Sequence, residues 1–577
     1  MKLVNVSYFG KGSQSSISQW SKPNESQLVL ENNDFEFALH TALESEPWYQ
    51  IHFPFAIRCY CIRIHNRRNK KYLERSNSIK VYTSIDGDSW ELVYAAKKLF
   101  EFDDNALNIE IENGKVIKYI RIVNENNYLH LSQIEVLVNK RDNKDILLVS
   151  NRHDGLTQRI LGMLETIAVA RYCGFKFGFT WKVSNEKIHD ILLAEKTFSK
   201  GFIEEHFSSN EELNGNSRAI VYGDIFNTPT AKKVIKEAVS YKDIYNKIEF
   251  SEEIQFAISK ARDFKLPENL IAIHIRAGDI VYGKHRISQM FIDKVLQYPF
   301  VIDILNKYKN YEVLIVGEDV EYRKLLGENY PNVSLPESVY PEALNSIQRL
   351  FFDVELFSKC NKVFGGRSGP ILLANKVSDV LVINLHEQLS IKEKLDVLRK
   401  HLLLSNLPVD KLVPPQHISY ACSAYMYYGF NSEDIKNLIS ANNIAKEIES
   451  NTQMSLYDVL DLFLQYRFES SKFAEENVRD YITKNGSVNN LIKGLDRLYS
   501  KDFMPFTHTS NKVGYMEDLK VRIKQQKLPY ANLLIGMSYF QTGNQEEANY
   551  HFKIFKEDVE VFEVPRVVSD FLELNVD

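Results

Sequence analysis

The sequence predicts a multidomain protein: an N-terminal β-sandwich over residues 1–140, a central α/β region over 145–403 and a C-terminal α-helical region over 404–577. Three observations carry that prediction. The 577 residues exceed what one hydrophobic core organises, so the chain divides. The spacing of apolar residues changes twice, from strict alternation, to strand-length runs interleaved with helical spacing, to helical spacing alone. Those changes fall at charged "NKRDNK" (139–144) and at "LPVDKLVPP" (407–415), whose prolines interrupt helix and ladder alike.

Composition narrows the function classes. Hydrophobic residues make up 44% and charged residues 25%, the proportions of a globular chain. A net charge of −5 lacks the basic surface of broad nucleic-acid binding, so no nucleic-acid partner is expected. The five cysteines form no CxxC pair, so neither a zinc knuckle nor a disulfide framework is indicated, and free thiols fit a reducing compartment. "MKLVNVSYFGKGSQSS" (1–16) carries no apolar stretch of signal-peptide length, and no apolar run spans a bilayer. The expectation is a cytoplasmic protein, with peripheral attachment at the inner face of a membrane left open.

In the first region "YCIRIHNR" (60–67) and "SIKVYTSIDGDSWELVY" (78–94) alternate apolar with polar residues and are rich in β-branched and aromatic types. Asp86-Gly87 supplies a turn between two strands. "KYIRIVNENNYLHLSQIEVLV" (118–138) adds two more. Together with "GSQSSIS" (12–18) and "FALHTALESEPWYQIHF" (37–53), these segments follow the order of a discoidin, or coagulation factor 5/8 type C, domain, which the region resembles throughout. The resemblance implies a jelly-roll sandwich whose loops meet sugars or lipid headgroups. It places Trp48 and Trp90 in the core, and no sugar site is assigned to them or to Tyr49.

The second region opens with "DILLVS" (145–150), a buried-strand run. "GLTQRILGMLETIAVARYCG" (155–174) then sets Leu156, Ile160, Leu164, Ile167, Ala168 and Tyr172 at helical spacing, with Gly174 as the stop. "FKFGFTW", "LIAIHI", "YEVLIVG", "NKVFGG" and "DVLVINL" read as further strands, and "ALNSIQRLFFDVELFSKC" (343–360) as the clearest helix between them. That alternation predicts parallel sheets covered on both faces, with ligands outside the carboxyl ends of the strands. Beyond the prolines, "LLIGMSYFQTGNQEEANYHFKIF" (533–555) spaces Gly536, Tyr539, Gly543, Ala548 and Phe552 as a tetratricopeptide repeat does, with a partial echo at "YACSAYMYYGF" (420–430). The helical region is expected to contact a protein partner.

Three strand-to-loop junctions share one chemistry. "NRHDGLTQR" (151–159) brings Gly155 and exposed amides to a helix start, which suits an anion. "HIRAGD" (274–279) offers Arg276, able to grip phosphate oxygens in a two-point fork, and Gly278, which admits close approach. "FGGRSGP" (364–370) ends a strand in glycines, with Arg367 and the Ser368 hydroxyl before a helix. Together they describe a pocket for a diphosphate. No GxxxxGK[ST], no strand-following GxGxxG and no GxSxG is present, which argues against P-loop, nicotinamide and serine-hydrolase chemistry.

The same three motifs, in order over about residues 145–400, resemble those of GDP-fucose-dependent fucosyltransferases, the group with α1,2-, α1,6- and protein O-fucosyltransferases. "HIRAGD" matches their HxRxGD motif. The resemblance implies a GT-B fold of two Rossmann-like halves, one trimmed here, with inversion at the anomeric carbon and neither metal nor cofactor beyond the nucleotide-sugar donor. By that analogy Arg276 holds the pyrophosphate and stabilises the departing nucleotide. His274 and Gly278 shape the same pocket, and Asp279 fixes Arg276 or binds donor. Gly155, Gln158 and Arg159 line the donor from the first loop, and Gly366, Arg367 and Ser368 hold its nucleotide side. Asp154, His153 and Asp279 are the candidate bases. Thr157 and Gln158 stand where Gly-Asn is usual, and Ala277 where a second arginine is common, so the donor base is not fixed.

The expected function is therefore an inverting, metal-independent glycosyltransferase, with GDP-fucose as first donor and a glycan or lipid-linked oligosaccharide as acceptor, in bacterial surface polysaccharide synthesis. The competing readings are the same fold with another nucleotide sugar, a glycan-binding adaptor with a decayed transferase domain, and a peripheral lipid-binding protein.

Overall fold

The structure, a computed structural model, describes residues 3–31, 33–96, 100–102, 106–182, 193–209, 219–221, 229–283, 289–338, 340, 344–403, 412–429, 434–448, 454–468, 471–484, 491–492, 519–520, 523–524, 526–541, 543–559 and 565–575. It divides into two compact units, Met1–Phe256 with Lys376–Ser378, and Ala257–Asn375 with Asp379–Asp577. The expected central α/β region thus contributes to both.

The first unit begins with β1 (Leu3–Asn5), β2 (Lys11–Gln14), β3 (Leu39–His40), β4 (Trp48–Asn66), β5 (Lys80–Ser84), β6 (Glu91–Ala95), β7 (Leu107–Val123) and β8 (His130–Asn139). They form one antiparallel array in the order β1-β8-β4-β7-β5-β6, with β2 on β4 and β3 on β8. Strand β4 changes partner along its length. Tyr49–His52 pair with β2, Cys59–Asn66 pair with β8, and the register to β7 shifts between His52 and Ile57. Such a shift bends the sheet over its own apolar face. That face carries Tyr49, Ile51, Ile62, Ile64, Val81, Ile120, Ile122, Ile134 and Val136, all fully buried.

Tyr49 is the core aromatic of this sheet, its hydroxyl donating to the Ser26 carbonyl at 2.7 Å. Trp48 and Trp90, expected in the core, are only half-buried. They flank the Arg121 guanidinium, which lies 5.5 Å from one ring and 4.1 Å from the other. Period-two alternation explains the exchange: with Tyr49 facing inward, Trp48 must face out.

The same unit continues with a parallel sheet of β9 (Leu147–Ser150), β10 (Lys176–Phe179) and β11 (Ala219–Val221), in the order β10-β9-β11. The helix Leu156–Cys173 connects the first two and stops at Gly174, where φ of 80° is left-handed and the N–H bonds to the Ala170 carbonyl at 2.8 Å.

The second unit holds β12 (Leu270–Ile275), β13 (Glu312–Gly317), β14 (Val333–Ser334), β15 (Lys362–Phe364) and β16 (Leu381–Ile383), all parallel, in the order β14-β13-β12-β15-β16. Every residue of β12 is buried, as a central strand covered on both faces requires. The chain builds outward from β12 through β13 and β14, then returns to its other side with β15. The order therefore reverses between β12 and β15, and a doubly wound sheet opens a crevice at such a reversal. The helix Ser346–Phe357 leading into β15 starts on a capping box of Asn345 and Gln348.

Helices follow, including Pro415–Gly429, Met454–Phe468, Pro529–Gln541 and Gln545–Asp558. One apolar core runs from Ile273 and Ile315 through Tyr298, Leu398 and Tyr420 to Phe552. Pro529–Gln541 and Gln545–Asp558 make a helical hairpin in which Gly536 faces Phe552, where an added Cβ would lie 2.6 Å from the ring.

Candidate functional site

At the carboxyl ends of β12 and β15 the structure brings together His274, Arg276, Gly278, Gly366, Arg367 and Ser368. His274 is 6% exposed, and its Nδ1 lies 3.1 Å from the Ser368 hydroxyl. Burial, then the Arg276 charge, lowers its pKa to about 3, so the ring is neutral and ties the end of β12 to the loop after β15. Ser368, expected on the nucleotide, is a buried partner of that ring. Gly366 is also explained from within. A Cβ there would lie 2.5 Å from the Lys294 backbone, so the glycine serves packing rather than approach of a ligand. The Arg367 N–H donates to the Asp293 carbonyl at 2.8 Å, and its exposed guanidinium pairs with Glu387 at 2.8 Å. The backbone amide and cation proposed for the nucleotide are thus both engaged.

Arg276 has a side chain 26% exposed at this crevice, with Nη1 2.6 Å from Glu318 Oε1. Gly278 adopts φ of 36°, and a Cβ there would lie 2.3 Å from Glu318 Oε2. Glu318 was not expected here from the sequence. Asp279 lies in the short helix Gly278–Val281, and its side chain is outside the described residues.

The remaining expected residues, His153, Asp154, Gly155, Gln158 and Arg159, belong to the first unit, so the expected donor set is divided between the two units. Gly155 is the N-cap of Leu156–Cys173 and accepts from the Gln158 N–H at 2.9 Å. Arg159, expected on the donor, is engaged within the chain. It is 2% exposed and donates to three carbonyls, Asp154 at 2.7 Å and His153 and Lys182 at 2.8 Å, beneath the Trp181 ring at 4.9 Å. A buried guanidinium needs such acceptors, and loops offer them because their carbonyls lack ladder partners. Asp154 is paired with Arg152 at 2.6 Å. The pKa of exposed His153 is lowered by partial desolvation first, then by Arg159 and Lys182.

A second constellation, which sequence reasoning missed, lies at one end of the antiparallel array. His40 ends β3, Arg67 follows β4, Tyr72 and Arg75 sit in the 3-10 turn Lys70–Ser76, and Tyr128 precedes β8. Buried Asn66 fixes this turn, donating to the Leu73 and Phe100 carbonyls at 3.2 and 3.1 Å. Asn124 holds the Arg75 and Tyr128 carbonyls at 2.7 and 2.8 Å. Arg67 is sandwiched at 5.1 Å from Phe37 and 4.6 Å from Tyr72, and pairs with Glu36. Arg75 lies 4.5 Å from Tyr72 and 5.1 Å from Tyr128. Trp20, half-exposed, covers His40 and Tyr128 at 5.3 and 5.9 Å.

The protonation of this cluster follows from its contacts. Burial, opposed by a backbone hydrogen bond, lowers the His40 pKa, with Arg67 and Arg75 adding to the effect. Its Nδ1 sits 2.8 Å from the Thr41 carbonyl, which can only accept, so the neutral ring carries its lone pair on Nε2. The Arg67 Nε is buried without a hydrogen-bond partner. A neutral imidazole acceptor beside guanidinium groups and aromatic faces has the chemistry to accept from a hydroxyl and to pack against carbons. The signal was present in the sequence, since "HNRR" (65–68) ends a strand in cations as "HIRAGD" does, but its partners are scattered from Trp20 to Tyr128.

No family model matches this sequence, and no curated protein is similar to it. Solved structures are similar to its N-terminal region. A fucolectin from striped bass (Morone saxatilis) serum is 18% identical, with 24% of this chain and 50% of that one covered and a TM-score of 0.22, so the chain spans half of it. The fucose-binding module SpX-3 of Streptococcus pneumoniae is 21% identical over 23% of this chain and 96% of that one, with a TM-score of 0.20. An F5/8 type C domain from Bacteroides fragilis is 14% identical over 24% and 97%, with a TM-score of 0.21. Among the described residues no helix is long and apolar enough to cross a membrane, and no group of three or more His, Cys, Asp or Glu could hold a metal ion.

Replacing Arg159 by lysine keeps the charge but leaves most of the three carbonyls unpaired. It should cost about 2 kcal/mol or more, read as a lower thermal midpoint. An unchanged midpoint would remove the structural role.

Proposed function

We propose that the protein handles glycans twice: the β-array holds a sugar at the His40–Arg67–Arg75 cluster, and the α/β part transfers a sugar from a nucleotide donor. The observation that carries this reading is the cluster itself, where neutral His40, with its lone pair on Nε2, and the Arg67 and Arg75 guanidiniums lie among the rings of Trp20, Phe37, Tyr72 and Tyr128. The transferase half is supported by the reversal of strand order between β12 and β15, with two of the three motif loops at its crevice. A GT-B arrangement, inversion, GDP-fucose as donor, a glycan or lipid-linked oligosaccharide as acceptor and tetratricopeptide-like partner contact by the C-terminal hairpin are the finer parts of the proposal.

Titrating the full chain with L-fucose, D-galactose, D-mannose and D-glucose, followed by saturation-transfer NMR, tests the first half. At least one should bind saturably, and Arg67→Ala or Trp20→Ala should weaken it about tenfold or more, the worth of one charged hydrogen bond or one stacking face. No binding by any of the four would sink the sugar seat. Because the His40 pKa is depressed, affinity should fall on acidification, as protonation removes the Nε2 acceptor, and that fall should begin at lower pH than for an ordinary histidine. A rise in affinity toward acid pH would contradict the assigned tautomer.

For the second half, a panel of GDP, UDP and their sugars should show selective engagement that Arg276→Ala abolishes without moving the thermal midpoint. A specific observation favours the second reading, a binding adaptor with a decayed transferase: Arg276 and Arg367 are each ion-paired with a carboxylate. Sugar binding retained with silence across the whole nucleotide panel would select it.

A further inference from the structure

Resting on the donor-site reading above, we infer that Glu318 is a specificity residue that accepts the ribose hydroxyls of a nucleoside diphosphate while Arg276 holds its phosphate. Glu318 is the first residue past β13, the strand beside β12 on the side away from β15. Its position is built into the backbone. Gly317 has φ of 148°, and a Cβ there would lie 2.0 Å from the Ile275 carbonyl oxygen, so glycine alone lets the end of β13 close onto the end of β12. That closure sets Glu318 Oε1 2.6 Å from Arg276, and Oε2 against Gly278.

A carboxylate beside a phosphate-binding arginine repels a diphosphate unless it takes neutral donors instead. Vicinal hydroxyls are such donors. In doubly wound sheets an acid at the end of the strand next to the phosphate-binding one takes the ribose hydroxyls, because the nucleoside runs outward from the phosphate across that strand. Glu318 occupies that place in this sheet. Its side chain is 58% exposed, so ligand can reach it and its replacement should not disturb the core.

The test uses the full chain and calorimetry with GDP, UDP, 2′-deoxy-GDP and 2′-deoxy-UDP. The nucleotide that binds should do so about tenfold or more tighter in its ribo form, because the deoxy form lacks a hydrogen bond to a charged acceptor. In Glu318→Ala and Glu318→Gln that preference should fall to about threefold or less, with diphosphate binding and the thermal midpoint retained. Equal binding of ribo and deoxy forms by the unaltered chain overturns the inference. So does an alanine variant that binds both forms tighter at an unchanged ratio, since Glu318 is then only a counter-ion to Arg276. If neither GDP nor UDP binds the unaltered chain, the donor-site reading itself fails and this inference falls with it.

Discussion

The burial of β12 on both faces is the constraint on which the α/β crevice depends. A strand with all six residues buried has no place along its length for polar groups, so they collect at its carboxyl end. His274 is the exception, and it is admitted only as a neutral ring bonded to Ser368. That one contact joins the end of β12 to the loop after β15. Arg276, two residues on, then stands where the strand order reverses, at a position fixed by packing rather than by any ligand.

Charged groups in this protein divide by what satisfies them. Arg159 spends its guanidinium on backbone carbonyls and has become part of the scaffold. Arg276 and Arg367 keep carboxylate partners at the surface, an arrangement that solvent and ligands can exchange. Arg67 is different again, with one carboxylate neighbour, two aromatic faces and a buried nitrogen that nothing in the chain accepts. Buried donors are rarely left this way, and Arg67 depends on its carboxylate and its two rings instead.

Much of this fold was legible because its signals are local. "LIAIHI" is β12 to the residue, and "YEVLIVG" contains β13, since a short apolar run bounded by polar residues has few alternatives. Gly174 and Gly87 took the positive φ that their helix stop and hairpin turn demanded. Trp48 was misplaced because only the phase of the alternation, set by Tyr49 packing over Gly12, decides which neighbour turns inward. At the candidate sites, motif order pointed to loops at strand ends but could not distinguish arginines facing solvent from one consumed by its own backbone. Nor could spacing reveal a cluster assembled from Trp20, His40, Arg67, Arg75 and Tyr128, which only the pairing of β3, β4 and β8 brings together.

The 19-residue β4 has one more consequence. Because the same strand supplies ladder bonds first beside β2 and later beside β8, neither half of the array can open without breaking hydrogen bonds of the other. The region is thereby one cooperative folding unit rather than two stacked layers with separate stabilities. Arg67 sits on the last turn of that shared strand's exit. Any change made at Arg67 is therefore felt along the whole strand, in how often amides far from it open.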